Sequence, residues 1–156
     1  MTRFSPSWAW AAGGMVSDAG DVARFYRALL KGRVLTEQSL AEMKAVVDVG
    51  YGAGYGLGLV QVDTPCGPAW GHNGNFPGFV SNVLSTEDGR RQVVLMRNAS
   101  DVVKPAVARA EVRALLAGFC GRAGLGESAM DRFARLPACD AGADVESEKS
   151  VAIAIT

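Results

Sequence analysis

The residues best placed to do chemistry lie in one stretch, Trp70-Gly71-His72-Asn73-Gly74-Asn75-Phe76-Pro77-Gly78-Phe79, which holds the only histidine in 156 residues. Histidine can donate, accept or carry charge near neutral pH, and a glycine two positions on lets a ligand approach the backbone. The amide of Asn75, just beyond, is expected to point outward from a strand edge. Free N–H groups on such an edge can bind a peptide by strand addition or donate to an oxyanion. A plainer reading stands beside this one: a lone His at a strand end is more often an ordinary polar residue, and Gly-Asn-Phe-Pro-Gly an ordinary turn.

A nucleophile to go with this edge is not found in the sequence. There is no Gly-x-Ser-x-Gly elbow, no Ser followed three residues later by Lys, and no Tyr-x-Asn or Ser-x-Asn. One His without a His/Cys/carboxylate cluster argues against a catalytic metal, and no cofactor is implied. The glycines of 50–58 do not form a phosphate loop, since neither Gly-x-x-x-x-Gly-Lys-Ser/Thr nor a helix-opening Gly-x-Gly-x-x-Gly occurs.

The elements that must position the stretch follow from periodicity. Gly13-Gly14 suggests a bend or close backbone approach rather than a helix. Ser17 or Asp18 caps a helix of about 13 residues bearing Val22, Phe25, Tyr26, Leu29 and Leu30, stopped by Gly32. Thr36 caps a second, with Leu40, Met43 and Val47 as its stripe. Residues 50–62 alternate with period two and read as a strand, whose glycines mark close packing. Thr64–Pro68 is a turn, Ala69–Asn73 a short strand, Gly78–Thr86 the next and Arg91–Asn98 the last, with Glu87-Asp88-Gly89 as a hairpin turn. The uninterrupted Val93-Val94-Leu95-Met96 predicts burial on both faces. Asp101 caps a third helix, with Pro105 in its first turn and Val107, Ala110, Ala114, Leu115 and Phe119 along its apolar side, ending at Cys120-Gly121. The fold class is therefore α+β: an antiparallel meander packed by a C-terminal helix, with two helices preceding it. Residues 1–121 form the domain, and 122–156, weakly periodic and rich in Gly, Ala and acidic residues, read as a loosely ordered tail or linker.

An apolar fraction of 49% and a charged fraction of 21% fit a globular domain. Sixteen basic and sixteen acidic residues balance, which excludes the basic footprint of a nucleic-acid binder. No apolar run approaches the roughly 20 residues of a membrane span, and Met1–Pro6 lack the pattern of a signal peptide. Cys66, Cys120 and Cys139 are too few and too widely spaced for a zinc site. Read without further information, one bridge with a thiol left over and three reduced core cysteines are both open, the reduced set being favoured.

Taken together, the ordered motifs carry a family resemblance. Ala12-Gly13-Gly14-Met15-Val16-Ser17 through Asp21, Tyr55-Gly56-Leu57-Gly58-Leu59, Gly71–Phe79, and Asn98 with the final helix resemble the C-terminal part of serine beta-lactamase-like enzymes. That group comprises the class C beta-lactamases, the serine D-Ala-D-Ala carboxypeptidases and related esterases. Among them the sequence is most similar to the secreted actinobacterial D-alanyl-D-alanine carboxypeptidases. The resemblance covers about three quarters of the chain and implies part of a beta-lactamase/transpeptidase-like fold. His72-Asn73-Gly74 resembles the His-x-Gly form of the third active-site motif, where relatives carry Lys-Thr-Gly. By that likeness His72 stands beside the nucleophile, Asn73 contacts the substrate carboxylate, Gly74 permits close approach, and the Asn75 N–H is one of two oxyanion donors.

The family's Ser-x-x-Lys and Tyr-x-Asn motifs normally lie upstream, and nothing here corresponds to them. The resemblance therefore implies a C-terminal fragment, inactive alone, of a hydrolase that forms and hydrolyses an acyl-enzyme, with the N-terminal part of the same domain as the missing partner. Its substrate would be a peptidoglycan stem peptide, a beta-lactam or an ester. Val60-Gln61-Val62 brings no Arg or Lys for a terminal carboxylate, which leaves room for an esterase or amidase. Alternatives are a non-catalytic module binding acyl-D-Ala-D-Ala-like peptides on its edge, and an unrelated α/β domain. Relatives of the secreted type carry Cys-Gly at both corresponding places, so the resemblance implies a Cys66–Cys120 disulfide, a free Cys139 and a secreted or periplasmic parent protein.

Overall fold

The computed structural model describes residues 5–50, 52–98, 105–121 and 151–155. After a 3-10 turn at Pro6–Ala9, helix α1 spans Trp10–Gly13. Gly13 therefore lies inside a helical turn rather than at a bend, and a Cβ added there would meet nothing within 4 Å, so no close approach explains it. Helix α2 spans Ala19–Leu30, capped by the Asp18 carboxylate accepting from the Asp21 N–H at 2.8 Å. Gly32, at φ 67, ends it in the left-handed region that glycine adopts without strain.

Helix α3, Glu37–Met43, begins under Thr36 Oγ1, which accepts from the Ser39 N–H at 3.2 Å. It stops short of Val47, which the helical stripe had included. The Met43 carbonyl is taken instead by the Leu57 N–H at 3.1 Å, so the chain leaves the helix there. Val47 opens β1 and is 71% exposed.

The strands are β1 (Val47–Gly50), β2 (Ala53–Tyr55), β3 (Val60–Thr64), β4 (Gly67–Phe76), β5 (Phe79–Ser85), β6 (Gln92–Arg97) and β7 (Val151–Ile155). They form one sheet in sequence order, each antiparallel to the next. The single strand read over 50–62 is thus the end of β1, all of β2 and the start of β3. Glycines at positive φ, Gly50, Gly52 and Gly58, make the turns between them. Close packing explains only two others: a Cβ would lie 2.6 Å from Val46 Cγ2 at Gly54 and 2.1 Å from the Met43 carbonyl at Gly56.

Both faces of the sheet are covered. On one, Leu115 and Phe119 of α4 (Pro105–Cys120) pack with Ala69, Leu84, Val93 and Leu95. On the other, Ala23 of α2 packs with Val83 and Val94, and Leu30 with Leu59 and Trp70. The buried Val93, Val94 and Leu95 therefore face opposite layers, as an uninterrupted apolar run requires. On α4 the buried positions are Leu115, Leu116 and Phe119, whereas Val107 and Ala110 of the predicted stripe are exposed. The ion pair Arg97–Glu111 joins β6 to α4 with little exposure of either side chain. The disulfide Cys66–Cys120, with a Cα separation of 5.5 Å, joins the β3–β4 turn to the last residue of α4. The cap at Asp101 and Cys139 lie outside the described residues. Of the stretch read as tail, 151–155 is a sheet strand, its β-branched Val151, Ile153 and Ile155 suiting that role.

Candidate active site

The motif is strand, not turn. The strand expected over 69–73 runs on to Phe76, so His72 lies in its middle, and the reversal is confined to Pro77-Gly78, with Gly78 at φ 87. β5 accompanies β4 along Trp70–Phe76, but β3 accompanies it only along Gly67–Gly71. From His72 onward, β4 has no β3 residue beside it.

The turns decide which backbone groups face that open side. Phe76 and Phe79 close a two-residue hairpin and are a hydrogen-bonded pair, so Gly74–Ser81 and His72–Val83 are the next such pairs. Asn73 and Asn75 alternate with them and direct their N–H and C=O groups away from β5. The other side agrees: Thr64 and Gly67 close a two-residue turn, which makes Gly71 a hydrogen-bonded partner of Val60. The expected outward direction of the Asn75 amide thus follows from register.

His72 is held at both ring nitrogens. Nδ1 lies 2.5 Å from the Asn73 carbonyl oxygen, which faces the open side and can only accept, so the proton is assigned to Nδ1. Nε2 lies 2.6 Å from the Tyr55 hydroxyl, and the two rings meet edge to face, 5.5 Å apart at 84°. Tyr55 pairs with Val60, where β3 leaves β4, and so sits at the mouth of the gap. Sequence reading placed Tyr55 on the strand leading to the site but did not couple it to His72. Seventeen residues separate them, and only the point where β3 ends brings them together.

Strand alternation sorts the remaining residues. Trp70, His72, Gly74 and Phe76 project to the α2 face, while Ala69, Gly71, Asn73 and Asn75 project to the α4 face. The exposed Asn73 and Asn75 side chains thus lie across the sheet from the imidazole, and only the Asn75 backbone N–H shares an edge with it. Gly74 has a cross-strand reason to be glycine: a Cβ would lie 2.5 Å from Ser81 Oγ. Trp8 stacks on Phe76 with centroids 5.3 Å apart, covering the end of the hairpin. Two open depressions, one at Ser5, Ser7 and Trp10 and one at Leu30, Glu37 and Asp88, include no motif residue. His72 and the Asn75 amide stand on an edge, not in a cavity.

Residues 2–118 match the protein family described as Beta-lactamase. The chain belongs to the beta-lactamase family. A solved crystal structure of a D-stereospecific amidohydrolase from Streptomyces sp. is 43% identical over 61% of this chain, with a TM-score of 0.59. The match spans 29% of that amidohydrolase, so this beta-lactamase-family chain corresponds to under a third of its length. The α+β architecture and the antiparallel sheet are those of the family. Among the described residues, no group of three or more His, Cys, Asp and Glu is placed to hold a metal ion. No described helix is long and apolar enough to cross a membrane.

Proposed function

We propose that this chain supplies the oxyanion-side edge of a serine hydrolase that forms and hydrolyses an acyl-enzyme from an amide or ester. The observation that carries the reading is the open edge at 72–76, where the imidazole of His72 and the outward N–H of Asn75 sit together. Catalysis by such an edge is electrostatic: a fixed N–H donor stabilises the charge that develops on the carbonyl oxygen, without reorganising during the step. A substrate strand laid along β4 would pair with the outward N–H of Asn73 and the outward N–H and C=O of Asn75, which places its carbonyl beside that donor.

The serine and its base would come from residues carrying Ser-x-x-Lys and Tyr-x-Asn, neither of which is in these 156 residues. The chain alone therefore reads as the N-terminally incomplete part of a catalytic domain, able to bind substrate and unable to turn it over. Gln61, flanked by Val60 and Val62, offers no cation to a terminal carboxylate, and the solved relative is named an amidohydrolase. Both favour amide substrates built on a D-residue over strict carboxypeptidase action. The Cys66–Cys120 bridge favours an exported parent, because such bridges persist in oxidising compartments. Its partners would be peptidoglycan-like stem peptides or beta-lactams.

Titration of the ¹⁵N-labelled chain with an acyl-D-Ala-D-Ala peptide tests the reading. The amide signals of Asn73 and Asn75 should move, while those of His72 and Gly74, engaged with β5, stay. Shifts that avoid 73 and 75 at saturating peptide would sink it. Mass spectrometry after incubation with a penicillin should show no acyl adduct on the chain, and a stable adduct would show that the nucleophile is here after all.

A further inference from the structure

The contact between Tyr55 and His72 has a chemical consequence beyond the edge itself. The Asn73 carbonyl occupies Nδ1 whatever the charge on the ring, because a carbonyl can only accept. Nε2 is thus the one nitrogen through which His72 can respond to its surroundings, and Nε2 faces the Tyr55 hydroxyl. Tyr55 is 44% exposed, so the pair lies within reach of solvent beside the point where β3 leaves β4.

We propose that Tyr55 is a positioning residue for His72, donating its phenolic hydrogen to Nε2 and so holding the neutral imidazole in its Nδ1–H form against the open edge. When His72 takes a proton at Nε2, the direction of this bond reverses. The new Nε2–H donates to the phenol oxygen, and the phenol keeps its own hydrogen, which turns toward the cleft. One proton is gained by the ring and none is lost by Tyr55. The group presented to a ligand at this end of the motif is then the Tyr55 hydroxyl, an acceptor-free donor only when His72 is charged. Tyr26, close enough for a Tyr55 phenolate to raise its pKa, is the neighbouring titratable group on the α2 side. The inference concerns the site proposed above, but it requires neither a nucleophile nor a substrate.

Because His72 is the only histidine, a ¹⁵N-histidine-labelled sample reports its tautomer without assignment. At a pH where the ring is neutral, the full chain should show mainly the Nδ1–H form. Tyr55→Phe removes the donor at Nε2 and keeps the ring, and should raise the Nε2–H share against the hold that the Asn73 carbonyl keeps on Nδ1–H, while the amide signals of β4 and β5 stay in place. A wild-type ring found mainly as Nε2–H overturns the proposal, as does a Tyr55→Phe variant with an unchanged tautomer. The peptide titration of Asn73 and Asn75 is read independently. A tautomer ratio that shifts in Tyr55→Phe with no peptide binding would leave this inference standing and remove the hydrolase reading; the converse result would do the reverse.

Discussion

At the scale of single residues, glycine in the motif answers to the neighbouring strand as much as to a ligand. A Cβ on Gly71 would lie 1.9 Å from the Val83 carbonyl oxygen, which belongs to the backbone of β5 and cannot move aside cheaply. Gly71→Ala should therefore lower stability by about 3 kcal/mol, the upper range for overpacking a well-filled site. Gly13→Ala, where nothing lies within 4 Å, should change it little. Urea melts of the two variants check this, and equal midpoints would refute the packing account. Tyr26 makes a separate prediction. Burial first, and the nearby Tyr55 charge second, raise its pKa to about 12 from the 10.0 of a free phenol. A folded pKa above the unfolded one means that the stability is complete below pH 10 and declines as pH rises from there through 12, because the unfolded chain releases the proton first. Tyr26→Phe should flatten that decline in denaturant melts taken across this range, and an unchanged slope would contradict it. The motif was legible at this scale because its chemistry is contiguous. The Tyr55 partner was not, because a contact across the gap depends on where a neighbouring strand stops.

At the scale of elements, legibility followed local signals. Helix α2 could be read closely because its cap, its apolar spacing and its glycine stop agree, and the second half of α4 because Leu115, Phe119 and the end at Cys120-Gly121 do, whereas its Val107 and Ala110 are exposed. The reading failed where tertiary bonds compete with local preference. Met43 gives its carbonyl to Leu57 and ends α3, and three glycines at positive φ divide one apparent strand into three pieces. No periodicity in 50–62 distinguishes a glycine that turns the chain from one that makes room. Helix α4 is tied to the sheet by Leu115 and Phe119, by Glu111 on Arg97, and by Cys120 on Cys66. The bridge joins cysteines 54 apart in sequence, and the loop-closure relation gives a loss of about 4 kcal/mol on its removal. Melts with and without reductant, and of Cys120→Ser without it, should show matching losses. If reduction leaves the midpoint where it was, α4 is held by packing alone.

At the scale of the whole molecule, α2 and α4 cover the two faces of the sheet, while no described strand pairs with Asn73 or Asn75 on the β3 side and the N-terminal segment exposes large apolar side chains. Trp10 is 85% exposed and held at φ 43, a conformation that costs an aromatic residue energy unless something compensates for it. Met15 and Val16 are each 89% exposed, and Trp8 and Phe79 are also exposed large apolar residues. The outward N–H groups of Asn73 and Asn75, which no described strand pairs with, add to this apolar surface, and both kinds of surface drive association. The proposal that another part of a catalytic domain belongs against this edge therefore carries a physical consequence for the chain by itself. Sedimentation velocity over a hundredfold concentration range should show reversible self-association. The double variant Trp10→Ser, Met15→Ser should shift the distribution toward monomer without changing the β4 amide signals. A chain that stays monodisperse and monomeric throughout, and melts in one cooperative step, would mean that this surface needs no partner. The reading of the 72–76 edge as half of a shared cleft would then fall with it.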